Sequence, residues 1–395
     1  MVSVIRTRWS FTALVLAACQ GDAPAADGTG TGEATTGSTS SAGGSSTSVA
    51  STSSESASSS SDDGADTSST GDPMAVDCTD ACIDVASDAG IALCHSCRCK
   101  VAFDNWLPSV DEVQCSTAAP IVTYHADLST DPAVLEPAPE GAITCANPSL
   151  LTSSCKQGSR LGQLQHGDVM LRWICRDPED DGGSTLYYDM GLIGQNVRTG
   201  ATCFWDDVDF VTHDDDMPPL DLMEASAEQR ARHTEVFYHT AGQTCVGCHD
   251  HDPFVYTPYL QSTPWLSVAI DKGPYWVVDL DGGGHATGNS HLVSPEANAC
   301  TSCHRMGSAK TCGLFAGDSL AQSKGAAYEQ SVHDAAMPGS PHWRLAYWMP
   351  NGGLPIADFD VWTTLFSGAR EHILGCCAAP GVDVGGCVWE PVPTE

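Results

Sequence analysis

Basic residues are scarce in this chain: 17 Lys and Arg stand against 50 Asp and Glu, a formal net charge of −33 at pH 7. Phosphate backbones are gripped by Lys and Arg, so this balance excludes nucleic acid as a partner. It is equally wrong for adsorption to an anionic lipid surface by charge. A long apolar run is missing as well. The stretch from Trp9 to Ala18 falls well short of the ~20 residues that a bilayer-spanning helix needs. Between about Asp22 and Asp72 large apolar side chains are almost absent, and the chain is Ser, Thr, Gly and Ala with scattered Asp and Glu. Such a segment cannot offset its ordering entropy by burial, which excludes a folded core there. As a flexible tether it has an r.m.s. span of about 5–6 Å × √55, or roughly 40 Å.

Cysteine, in contrast, is plentiful, at 19 residues. Three Cys-x-x-Cys spacings occur: Cys94/Cys97, Cys245/Cys248 and Cys300/Cys303. The second and third run straight into His249 and His304, whereas the first is followed by Arg98 and holds His95 inside the spacing. Histidine is only 14 of the 395 residues, so two such placements in three are a poor match to chance. Cys-x-x-Cys-His is the attachment pattern of a c-type haem. The two thiols, one helical turn apart, each form a thioether with a porphyrin vinyl group, and the histidine becomes the proximal iron ligand. Two copies imply two covalently held haems. Two rivals stay open at this point: ordinary disulfides, or a metal site that borrows a fourth ligand from elsewhere.

The start of the chain places Arg6 and Arg8 ahead of the short apolar run, which ends Leu16-Ala17-Ala18-Cys19. This resembles the lipobox of bacterial lipoproteins. The resemblance implies a signal peptide over 1–18 and a diacylglyceryl group on Cys19. Gln20 follows that cysteine, which by resemblance to Gram-negative sorting implies the outer membrane, with the head in the periplasm or at the cell surface. Export supplies the oxidising compartment in which disulfides persist. Setting aside Cys19 and the four motif cysteines leaves 14, an even number, as a disulfide framework requires. Their pairing is not deducible from sequence.

The expected organisation is a tether over 19–76, a Cys-rich segment over 77–116, a β-rich module over 117–225 and a dihaem domain over 226–395. The fold class is α+β. In the run Val169 to Cys175, residues Val169, Leu171, Trp173 and Cys175 share one face of a strand, and Asp177-Pro178 is expected to close it. Leu186 to Ile193 and Thr202 to Trp205, separated by a turn at Arg198-Thr199-Gly200, read as a hairpin. No nucleophile, base and orienting acid assemble in this module, and no catalytic residue is assigned. Ser226-Ala227-Glu228-Gln229 is a capping box that opens a helix through Val236, Phe237 and Tyr238 to Gly242. Asp279-Leu280-Asp281-Gly282-Gly283-Gly284 reads as a tight turn, since a calcium loop would need Glu where Ser290 stands.

An aromatic helix leading into Cys-x-x-Cys-His, with Met349-Pro350 ahead of a short amphipathic helix over Asp358 to Leu365, resembles class I c-type cytochromes. The resemblance covers Ser226 to Phe366 and implies a mainly α-helical domain. The flanks Asp250 to Phe254 and Arg305 to Gly307 are unlike, so the two motifs are no internal repeat but one fused two-haem unit. His249 and His304 are the proximal ligands. For the second haem the resemblance implies Met349 as sixth ligand, with His342 and then Met337 behind it. For the first, His291 is favoured, with His285, His251, His239 and His233 open. Met/His ligation raises a haem's potential relative to bis-His, so the first centre would be the lower of the two. The leading function is a lipid-anchored electron carrier whose acidity steers a basic redox partner, such as a soluble cytochrome. The alternatives are a haem peroxidase or small-molecule reductase, and a disulfide-rich surface binding protein without cofactor.

Overall fold

In the computed structural model the described residues run from 76 to 393, apart from 128, 130–133, 140–141, 150–154, 156, 181–184, 208–216, 238–244, 246–248, 251, 255–257, 262–272, 279–288, 302–304 and 317–358. The leader, Cys19, the tether and the turn at 279–284 therefore lie outside them.

The centre of the fold is a six-stranded sheet in the order β1-β4-β5-β6-β7-β8. Its strands are β1 (Ala119–Pro120), β4 (Arg160–His166), β5 (Val169–Asp180), β6 (Thr185–Asn196), β7 (Ala201–Asp207) and β8 (Trp276–Val277). Neighbours are antiparallel except the last pair, β7 with β8. A separate hairpin joins β2 (Tyr124–Asp127) to β3 (Val134–Pro137), and a small ribbon joins β9 (Ser290–Leu292) to β10 (Trp389–Pro391).

The alternation in β5 is as the sequence predicts: Val169, Leu171, Trp173 and Cys175 are buried on one face. The strand nevertheless continues through Pro178, opposite Tyr187 of β6. Its pairing with β4 ends at Cys175, so on that side Pro178 interrupts no strand ladder among the described residues. The β6–β7 hairpin turns at Gly200, whose φ of 86° suits glycine; an added Cβ there would also meet the Pro274 carbonyl carbon at 2.5 Å.

Two of the three longer helices, α1 (Asp88–Ala102) and α2 (Ala227–Phe237), pack on this sheet, while α3 (Phe359–Cys377) packs in a separate cluster with Leu292, Met306 and Trp389. At the head of α2 the capping box forms as expected. Gln229 N–H donates to Ser226 Oγ at 3.2 Å, and Ser226 N–H donates to Gln229 Oε1 at 2.9 Å. Between 226 and 395, however, the expectation of a mainly α-helical domain is not supported. The described residues there combine α2, α3 and one-turn helices with β8, β9 and β10. Cross-linking supplies the reason: Cys312–Cys377 and Cys376–Cys387 tie α3 to chain on either side of it, so local helix packing is not the only source of order. The α+β class stands.

Seven disulfides hold the described fold: Cys78–Cys97, Cys82–Cys94, Cys99–Cys203, Cys115–Cys175, Cys145–Cys155, Cys312–Cys377 and Cys376–Cys387. They consume the fourteen cysteines that remain once Cys19 and the two Cys-x-x-Cys-His motifs are set aside. The first Cys-x-x-Cys, Cys94/Cys97, is spent on two different disulfides.

The main core lies between α1, α2 and one face of the sheet, with Phe103, Leu171, Trp173, Met190, Trp205, Val236 and Phe237 in it. Two buried histidines share this core. His95 stands 3.2 Å from the Cys99 sulfur, and His233 bonds the Pro219 carbonyl through Nδ1 at 2.8 Å. Burial lowers their pKa values to about 3 and about 4. Unfolded, both take up protons below about 6.5, so between these values the unfolded chain binds more protons and acid favours it. From pH 7 to pH 5 this pair lowers stability by about 4 kcal/mol. Denaturant unfolding at the two pH values, with disulfides intact, checks this; equal stabilities would contradict it.

Candidate haem-attachment region

Strand β7 links the core to the motifs, because its side chains alternate. Trp205 points into the main core, while Phe204 on the other face joins Tyr275, Val277 and Val392 in a second apolar cluster, with Cys245 packed against it. The His249 ring lies 5.6 Å from Phe204. Below it the Tyr275 hydroxyl donates to the His249 carbonyl at 2.6 Å. Cys245 and His249, at the two ends of the first motif, are thus seated on the face of the sheet opposite the main core.

The chain just after each motif meets the other. Asp250, fully buried, follows His249. Its carboxylate accepts from Ala309 N–H at 2.6 Å, from Thr311 N–H at 3.4 Å and from the Thr311 hydroxyl. Arg305 follows His304 and donates to the Asp252 carboxylate and to the Gly273 carbonyl. A buried carboxylate is tolerable only with such donors, and charge-assisted bonds are about twice as strong as neutral ones. The unlike flanks are therefore complementary: the acidic tail of one motif fits the donors and the cation behind the other.

Between them stands His291 on β9, whose main chain bridges Gly307. Among the described residues its Nε2 is buried with no hydrogen-bond partner, while the ring also bonds the Asp250 main chain. Its ring lies 6.1 Å from that of Tyr275. Burial first, then Arg305, lowers its pKa to about 4, which leaves the imidazole neutral. A buried imidazole with one nitrogen anchored to main chain and the other unused is the form in which histidine ligates metals. This region accordingly fits a haem in its chemistry: a nitrogen donor, an apolar aromatic wall, and the chain that directly follows each Cys-x-x-Cys-His.

Of the other candidates, Cys245, His249 and Cys300 are described, while Cys248, Cys303, His304, Met349, Met337, His342, His285, His251 and His239 lie outside the described residues. His233 is in the main core, beside Phe237, and not at the motifs. Two other clusters, His95 with Cys99 and Cys203, and His372 with Cys376 and Cys387, have metal-ligand composition. Their sulfurs are joined in disulfides, and a disulfide sulfur is not the thiolate that binds zinc. Among the described residues no helix is long and apolar enough to cross a membrane. Asp250 and Tyr275 carried no sequence signal of their roles, because their partners are distant in the chain. Comparisons with protein-family models, with curated proteins and with solved structures give no match for this chain.

Proposed function

We propose that this chain is a lipid-anchored dihaem c-type cytochrome that passes single electrons in the cell envelope. The observation that carries the reading is the interlocking of the two motif tails through Asp250, Asp252, Arg305 and Thr311, since two redox centres exchange electrons only when held close together. The closure of the disulfide framework on the other fourteen cysteines supports it as well. The cofactor supplies a one-electron iron couple at each site. Cys245, Cys248, Cys300 and Cys303 attach the two haems, and His249 and His304 are the proximal ligands. Met349 serves the second centre, ahead of His342 and Met337, and His291 serves the first. The chain's part is to fix these groups, exclude water with Phe204, Tyr275, Val277 and Val392, and set the local charge. Cys19 anchors the head through lipid, and the net charge of −33 steers a basic redox protein toward it.

The second reading is a haem enzyme acting on peroxide or another small molecule, which needs an iron with an open or displaceable position. Adding cyanide or peroxide to the purified, reoxidised protein separates the two. A carrier with both irons saturated shows a slow or negligible spectral response. A rapid, saturable response at one centre would make the protein an enzyme.

A further inference from the structure

Tyr275 of the apolar wall and Arg305 of the interlock each touch the surroundings of both motifs. Tyr275 is 5% exposed and sits on β8's leading edge, where the Gly200 carbonyl accepts from the N–H of its neighbour Trp276. Its hydroxyl holds the main chain of His249, and its ring faces His291. Arg305 lies with its guanidinium carbon 5.9 Å from the centre of that ring, and its side chain is 11% exposed. Asp252 and the Gly273 carbonyl fix it there. Burial, followed by Asp252 and Asp250, raises the Tyr275 pKa well above its ordinary value, so the phenol stays neutral and remains a donor.

We propose that Tyr275 and Arg305 are positioning residues that tie the redox potentials of the two centres together, Tyr275 by holding the first proximal ligand's main chain and Arg305 by placing one buried cation against both motif tails. The inference rests on the dihaem reading. A ferric centre loses one positive charge on reduction, so a nearby cation stabilises the reduced form. In a poorly solvated site that effect is far larger than in water. Removing the cation also leaves the Asp252 carboxylate without it, which acts in the same direction.

The test is a potentiometric titration, followed in the visible spectrum, of periplasm-matured full-length protein and its R305Q, R305K and Y275F variants. Haem per chain is counted in each. R305Q is expected to lower the midpoint of at least one centre with both haems retained, and R305K to restore it toward the wild-type value. Y275F keeps the ring and removes only the hydroxyl, so it is expected to shift one centre alone and covers the case in which R305Q fails to mature. Unchanged midpoints in R305Q or Y275F at full haem content would overturn the proposal and leave the dihaem reading standing. Absence of haem from the wild-type protein would instead overturn the reading beneath it.

Discussion

Replacing Cys99 and Cys203 together by alanine is expected to cost about 4 kcal/mol of stability, more than the loss of the Cys145–Cys155 link. The Cys99–Cys203 bond joins α1 to β7 across 104 residues. The Cys115–Cys175 bond lies inside that loop and spans 60 of them, so the loop that the outer bond closes is effectively about 45 residues long. In the chain-entropy account such a loop is worth about 4 kcal/mol, against about 2.7 kcal/mol for the 10-residue span of Cys145–Cys155. Both sulfurs of the first bond are in the main core, so the double variant also leaves a small void. For a domain of this size the melting temperature should fall by of the order of 10 °C. Thermal unfolding of C99A/C203A beside C145A/C155A checks the ranking. The reverse order, or a loss under about 1 kcal/mol in the first variant, would show that the native bond stores compensating strain.

His291→Met is expected to raise the midpoint of one centre by on the order of 100 mV, a modest part of the ~0.8 V over which axial ligands set haem potentials. His291→Ala should leave the same iron short of a ligand, with a high-spin spectrum and rapid cyanide binding. The basis is the buried Nε2, without a hydrogen-bond partner among the described residues, on an imidazole held neutral beside the chain that follows each motif. The His291 ring is held by the main chain of Asp250, the residue after His249, so the first centre is the one it would serve. The same titration on a C300S/C303S background, which keeps only the first centre, should show the same shift. Spectra and midpoints unchanged in both variants would make His291 a packing residue between the motif tails.

What was legible in the sequence is what local chemistry determines. The capping box at Ser226 and Gln229, the buried alternation from Val169 to Cys175 and the turn at Gly200 each depend on residues a few positions apart. The strand's passage through Pro178 was not legible, because it depends on where a different strand, β4, stops. Nor was the length of α3, which the sequence predicts as a short helix and which extends to Cys377. Its last turn is stapled by Cys377 to Cys312, 65 positions back, and by Cys376 to Cys387 beyond the helix end. The site divides in the same way. Cys-x-x-Cys-His is read from five adjacent residues, but the Asp250 brace spans 59 to 61 positions. The unlikeness of the two flanks argued only against a repeat; their fit to each other was invisible without the fold.

The most direct measurement of the central claim is pyridine haemochrome quantification, paired with intact mass, on the chain matured in a periplasm with its disulfides closed. Two covalent haems per polypeptide are the predicted result, falling to one in C245S/C248S and likewise in C300S/C303S. A mature chain with no added porphyrin mass would contradict the account and leave a disulfide-stapled binding protein in its place.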